Sequence, residues 1–562
     1  MSDLSQGKRV YFFGDDNTEG SGSQKSLLGG KGANLAEMSN LNIPVPPGFT
    51  IATSVCKLFL KKKKFNQDVI TKIEKAQKII ENTLNKKLGN TNNPLLLSVR
   101  SGAKISMPGM METVLNIGLT SKTIPALIKQ TKNEKFVYDS YRRLIMMYAD
   151  VVMEKADQKN NVHIREKLEQ ILEKIKNKKK IKKDSELSVD DLKKIIIQFK
   201  RSIKRNLGLD FPDSAKQQLW GAIEAVFKSW NGKRAKQYRK IESIPNEWGT
   251  AVNVQSMVFG NLGEKSGTGV AFTRNPSNGE NNFYGEWLEN AQGEDVVAGI
   301  RTPKPINETS KSTQTKNSKT LQIMFPSIYK KLISIKNKLE KHYCEMQDIE
   351  FTIENKKLWM LQTRKGKRTG EAAIRIAIEM RNEKLINNKQ VISRVSPKNL
   401  NEIMHTKVDP KIESENKPVA IGLPASPGGA NGRIVFNADD AERWHKQKKQ
   451  VILVRHETSP EDVQGMHVSE AILTAKGGMT SHAALVARGW GKPCVVGCTH
   501  LNIDLKNKVL YINDKKYKQG DWFTINSSAG LVYDKKIKLV KSNFIDNPYF
   551  IELMNITNKI KK

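Results

Sequence analysis

A histidine, His482, follows Gly477-Gly478 and Thr480-Ser481 and opens a segment that reads as a helix to about Arg488. Residues 470–475 before it and 494–497 after it read as short strands, so the pattern is strand, glycine turn, polar cap, helix, strand. The first turn of a helix offers unpaired backbone N–H groups and roughly half a positive charge. A phosphoryl group carried on that imidazole would be stabilised where it forms, which makes His482 a candidate nucleophile. The same pattern also fits an ordinary strand-to-helix turn with a solvent-facing histidine. The rest of the chain has to decide between them.

Three other stretches carry groups suited to phosphate. In Leu27-Leu28-Gly29-Gly30-Lys31-Gly32-Ala33, glycines flank Lys31, as a close approach of backbone to phosphate requires. It is not a P-loop, because Gly32 stands where a Ser or Thr should hold magnesium. Residues 95–103 form an apolar strand ending in Arg100 and a small-residue turn, which could aim a guanidinium at a ligand or at a surface carboxylate. Residues 348–354 and 358–364 read as a hairpin about the turn Asn355-Lys356-Lys357. Centred on Lys356, it sets Glu350 opposite Gln362 and Asp348 opposite Arg364, all four on one sheet face. Such a face suits Mg²⁺ and a polyphosphate, or else a solvated set of salt bridges. A two-residue turn would shift this register.

The elements that must position these groups suggest about three or four units, given 562 residues. Residues 155–205 show helical periodicity through Leu192, Ile195, Ile196, Phe199 and Ile203, and 217–230 place Leu219, Trp220, Ile223, Val226, Phe227 and Trp230 on one face, as core. From Thr250 the pattern turns strand-rich, and from Gly422 a compact α/β unit leads into the histidine segment. The net charge is +36, from 94 Lys and Arg against 58 Asp and Glu. The lysine runs lack interleaved aromatics and read as solvated helix faces, so no specific nucleic-acid partner is expected. Cys56, Cys344, Cys494 and Cys498 have neither disulfide-framework nor zinc spacing. No membrane span and no signal segment are evident, so a cytoplasmic protein is expected.

Taken together, GGKGANLAEM, SVRSGAKISMPGMMETVLNIG, WGTAVNVQSMVFGN, GVAFTRNPSNGE, NAQGEDVVAGIRTP, MQDIEFTIE, LWMLQTRKGKRTG, GLPASPGGANG, ETSPEDVQGMH and GGMTSHAALVARGWGKPCVVG resemble the pyruvate, phosphate dikinase family along nearly the whole chain. The resemblance implies an α/β and α+β multidomain protein. An ATP-grasp nucleotide-binding region (1–366) is followed by a linker (367–415), a swivelling α/β phosphohistidine domain (416–535) and the start of a further linker (536–562). It implies a phosphotransferase in which His482 takes the β-phosphate of ATP and releases AMP. Inorganic phosphate then removes the terminal group as pyrophosphate, and the phosphohistidine serves pyruvate to make phosphoenolpyruvate, or the sequence runs in reverse.

By position, Lys31, Arg100, Asp348, Glu350, Gln362 and Arg364 match nucleotide and phosphate sites. Glu350 with Glu294 and Asp295 matches metal positions for Mg²⁺, and Thr480 matches a residue phosphorylated for regulation in plant forms. The family's pyruvate site lies in a C-terminal barrel of about 250 residues, for which there is no room after Gly530. The expectation is therefore the ATP and phosphate half-reaction, with the barrel absent or on a separate chain and a monomer consistent with its absence. The alternative is an inactive remnant that binds nucleotide or a partner without turnover.

Overall fold

The computed structural model describes residues 8–561 except 15–16, 108, 156–161, 182, 298–302, 312–314, 404–405, 542–543 and 545. The side chains of residues 294, 297 and 561 are likewise outside the described set. The chain forms two compact units, Met1–Gly263 with Trp359–Gln362, and Glu264–Leu358 with Thr363–Lys562.

The first unit is built on a five-stranded antiparallel sheet in the order Val10–Phe13, Gly48–Ile51, Ala251–Ser256, Leu97–Gly102, Thr113–Ile117. Its apolar face and the surrounding helices share one core, into which Phe49, Leu97, Val99, Val252 and Val254 project. The helix Val189–Leu207 follows directly from its sequence. Ser188 caps it by accepting from the Asp191 N–H, Gly208 ends it at φ 73°, and Leu192, Ile195, Phe199 and Ile203 line its buried stripe. The helix Ala215–Ser229 buries Leu219, Ile223, Val226 and Phe227, with Trp230 just beyond it, so these aromatics are core as expected. In the lysine run from Lys176 to Lys183, Lys178, Lys180 and Lys183 are exposed as expected, but Lys176 is buried and paired with Glu173 and Asp184.

The second unit opens with a sheet ordered Lys304–Pro305, Tyr284–Glu289, Gly267–Phe272, Gln347–Glu354, Lys357–Lys365. Of its last strand, Trp359–Gln362 groups with the first unit. Residues 367–415, expected as a linker, carry the helices Gly370–Asn382, Asn388–Arg394, Pro397–Ile403 and Pro410–Ser414. The C-terminal helix Pro548–Lys561 packs on the first two of these through Leu553 and Ile556.

An eight-stranded mixed sheet follows, ordered Ala420–Ile421, Leu531–Tyr533, Trp522–Asn526, Gly429–Val435, Val451–Arg455, Ala471–Thr474, Cys494–Val496, Leu423–Ser426. Its four central strands from Gly429–Val435 to Cys494–Val496 run parallel. Their side chains alternate between two cores, Ile452 and Val454 on one face and Val451 and Leu453 on the other. Parallel strands covered on both faces read as continuous apolar runs, which is why Val451–Val454 is uniformly hydrophobic. No helix among the described residues is long and apolar enough to cross a membrane.

Candidate active site

The strand Ala471–Thr474 leads through Gly477, at φ 97°, into the helix His482–Trp490. Ser481 alone is the helix cap, in extended conformation and accepting from the Ala484 N–H. Thr480 does not share that task as the sequence suggested. It is completely buried, and its hydroxyl donates to Glu286 at 2.8 Å. His482 is 8% exposed, which rejects the solvent-facing alternative. Its Nδ1 lies 3.1 Å from Thr458 Oγ1. When Nδ1–H donates to that hydroxyl, the lone pair is on Nε2.

The turn is seated on the first sheet of the same unit. Glu286 accepts from the Met479 N–H at 3.0 Å and the Thr480 N–H at 3.1 Å, besides the Thr480 hydroxyl. Gly478 is required here, because a Cβ at that position would stand 2.4 Å from the Glu286 carboxylate. Burial raises the Glu286 carboxyl above its ordinary range, against the lowering effect of these donors and of Arg488.

Glu286 lies opposite Val270, and Val270 opposite Glu350. Tyr284, Phe272 and Asp348 form the next row in the same register. Opposite residues on antiparallel strands share a face, so Glu286, Asp348 and Glu350 all project towards the side that receives the histidine turn. With strands about 4.8 Å apart, Glu286 and Glu350 stand roughly 10 Å from each other along a row.

Arg364 joins this face as expected. Its Nε donates to Asp348 Oδ2 at 2.6 Å, and Nη2 is 3.6 Å from Glu350 Oε1. Burial opposes the Arg364 charge, but Asp348 and Glu350 outweigh it and hold the group protonated. Asp348 is 1% exposed and raised by burial and by Glu350, against Arg364, and its Oδ1 has no hydrogen-bond partner among the described residues.

The hairpin turn itself differs from expectation. It is two residues, Asn355 at φ 47° and Lys356 at φ 64°, rather than three. A regular two-residue hairpin would send Arg364 to the face opposite Asp348. Their ion pair therefore requires the strand alternation to be interrupted before Arg364. Gln362 is buried, in the segment that groups with the first unit.

The acidic pair lies on the short helix Gly293–Val297, whose Val296 packs on Val270 in the row between Glu286 and Glu350. The Asp295 carboxylate accepts from the Gln292 N–H at 3.0 Å, and the Glu294 side chain is outside the described residues. No group of three metal-ligating side chains occurs among the described residues. Glu350, with Asp295 of the acidic pair, offers only part of an octahedral shell. Mg²⁺ completes such shells with water and substrate phosphates, so this donor set fits an ion that arrives with a nucleotide rather than one in an all-protein cage.

In the first unit, Lys31 lies on the helix Lys25–Asn40, just after its kink at Gly29, against the end of the Arg100 strand. Gly29 adopts φ 68°, ψ 171°, and a Cβ there would stand 1.7 Å from the Gly102 carbonyl oxygen. The Gly30 N–H donates to Ala103 O at 2.8 Å, and Lys31 Cβ lies 3.6 Å from where a Cβ on Gly102 would be. Arg100 is opposite Asn253, whose Oδ1 accepts from Thr50 at 2.8 Å. Lys31 and Arg100 are thus brought together over one polar row of the sheet.

Sequence reasoning missed Glu286, Thr458, Asn253 and Arg488. Glu286 alone left a trace, as a carboxylate in the middle of the otherwise buried strand segment Gly285–Leu288.

The description "Pyruvate phosphate dikinase, AMP/ATP-binding domain" matches residues 25–385, and "PEP-utilising enzyme, mobile domain" matches residues 447–530. Pyruvate, phosphate dikinase of Rhizobium meliloti is 48% identical over 535 residues, which cover 95% of this chain and 58% of that protein. The chloroplastic pyruvate, phosphate dikinase 1 of Arabidopsis thaliana is 49% identical, covering 93% of the chain and 52% of the relative. The Clostridium symbiosum enzyme is 47% identical, covering 94% and 58%. The chain thus spans little more than half the length of these relatives. A family model that covers most of the chain and a likeness sustained almost from end to end lead to one assignment: the chain belongs to the pyruvate, phosphate dikinase family.

Proposed function

We propose that this chain carries out the ATP- and phosphate-dependent phosphorylation of His482. Nε2 attacks the β-phosphorus of ATP, the bond to the α–β bridging oxygen breaks, and AMP leaves. An oxygen of inorganic phosphate then attacks the terminal phosphorus of the pyrophosphoryl group. Its bridging bond breaks, pyrophosphate leaves, and one phosphoryl group stays on the imidazole. In the full reaction that group passes to pyruvate at a barrel domain, on a separate chain or in a longer form of the protein.

The reading assigns residues 1–366 to an ATP-grasp region and 416–535 to a swivelling phosphohistidine domain. Lys31, Arg100, Gln362 and Arg364 would neutralise and align the phosphates. Bound Mg²⁺, held by Glu350 with phosphate oxygens, and with Glu294 and Asp295 as further carboxylates, would withdraw charge from the transferring group, while Asp348 holds Arg364 on this face. Thr458 orients the imidazole and the helix start faces the developing charge. Thr480 is the candidate regulatory residue.

The observation that carries this reading is the seating of the His482 turn, through Glu286, on the sheet face bearing Asp348, Glu350 and Arg364. Incubation with Mg²⁺, phosphate and ATP labelled at the β-phosphate should place an acid-labile label on His482, absent in His482→Ala. A folded, ATP-binding protein that takes up no label would refute it.

A further inference from the structure

Arg488 lies six residues after His482 on the same helix and is 1% exposed. Its Nη2 donates to the carbonyl of Met479, inside the turn that precedes His482. The guanidinium carbon stands 5.4 Å over the Phe272 ring, on the sheet face that receives the turn. Among the described residues its Nε and Nη1 have no hydrogen-bond partner, and neither has Asp348 Oδ1. The charged and titratable groups that face it are Tyr284, Asp348, Cys494 and Glu286. A buried guanidinium with five N–H donors is ordinarily given acceptors for all of them, because an unsatisfied buried cation is strongly unfavourable. Here one anchor goes to the backbone of the histidine turn, and the guanidinium lies over Phe272, which stands between Tyr284 and Asp348 in its row.

We propose that Arg488 is a positioning residue for His482, coupling the histidine turn, through Met479, to the carboxylates Asp348 and Glu286. The coupling responds to nucleotide. Arg364 now neutralises Asp348 from its Oδ2 side. A polyphosphate that draws Arg364 away leaves Arg488 as the cation facing Asp348, so the turn tightens when the phosphates are in place. The inference rests on the reading of His482 as the phosphorylated residue, and it adds a reason why the transfer awaits a loaded site.

The test uses the full chain as wild type, Arg488→Lys and Arg488→Met, with hydrogen exchange at the Met479 and Thr480 amides. Exchange is measured with and without Mg²⁺ and the unreactive α,β-methylene analogue of ATP. Protection at these two amides should rise with the analogue in wild type and fail to rise in Arg488→Met. His482 labelling at saturating nucleotide should fall at least tenfold in Arg488→Met, analogue affinity should weaken with it because the coupling is reciprocal, and Arg488→Lys should recover part of both. If Arg488→Met does not fold, Arg488→Lys decides by the same two measurements. A folded variant with wild-type protection, analogue response and labelling overturns the proposal. An analogue response lost in the variant, in a wild type that takes up no label, upholds the positioning role and refutes the phosphorylation reading alone.

Discussion

Replacing Glu286 with alanine removes the acceptor of three hydrogen bonds at once, from the Met479 N–H, the Thr480 N–H and the Thr480 hydroxyl. Each buried donor left without an acceptor costs about 1–3 kcal/mol. The turn limits that penalty by lifting off the sheet and hydrating its donors. The loss is also partly offset, because a carboxylate whose protonation is raised by burial was itself unfavourably desolvated. A net weakening of about 2 kcal/mol corresponds to a roughly 30-fold fall in the seated population. Hydrogen exchange at the Met479 and Thr480 amides reads that population directly. Their protection in Glu286→Ala should fall between about 10- and 100-fold, while amides of the strands Gly267–Phe272 and Gln347–Glu354 keep theirs. Glu286→Gln should lie between, since it retains one acceptor but turns an N–H₂ towards donors. Unchanged protection at residues 479 and 480 in a folded Glu286→Ala protein would refute the seating argument.

Three further outcomes follow from the same geometry. Because the Glu286 carboxyl is raised in the seated state from 4.5, its contribution is fully present below pH 4.5 and lost as pH rises through the raised value. Urea unfolding should therefore show wild type gaining on Glu286→Gln as pH falls from neutral towards 4.5, and parallel curves would contradict the sign. Thr458→Val removes the 3.1 Å contact to His482 Nδ1 and should slow His482 labelling about fivefold, the effect of roughly 1 kcal/mol, with Thr458→Ser close to wild type. Gly29→Ala meets both a backbone conformation nearly confined to glycine and a contact of 1.7 Å. Its ATP affinity by calorimetry should fall at least tenfold, and affinity within twofold of wild type would separate that helix kink from nucleotide binding.

What the sequence made legible was local. The apolar stripe of Val189–Leu207 and the strand, turn and helix around His482 follow from spacing within a few residues, whereas the Ser188 cap was not read. The pairing of Asp348 with Arg364 was also accessible, because a hairpin keeps partners close in sequence. Its turn was misjudged since a two-residue turn with both φ positive is ordinarily announced by Asn-Gly, and Lys356 conceals it here. Glu286 and Thr480 are 194 residues apart. No periodicity links two such positions, and only the packed structure brings a buried carboxylate to a buried hydroxyl. Arg488 escaped for a related reason, since an arginine on a helix is ordinarily a surface residue until the tertiary fold covers it.

The chain enters and leaves the eight-stranded sheet at neighbouring points. Thr406–Val408 pairs with Leu539–Lys541, and Ala420–Ile421 with Leu531–Tyr533. The histidine-bearing piece is therefore a closed loop of chain whose two ends are clasped together like the stem of a leaf. Joining ends that already touch and opening the chain elsewhere would leave every strand neighbour in place. A circularly permuted 416–535 with new termini in the exposed Lys506–Asn507 turn keeps all eight strands of this sheet and is the economical way to obtain the histidine-bearing piece by itself.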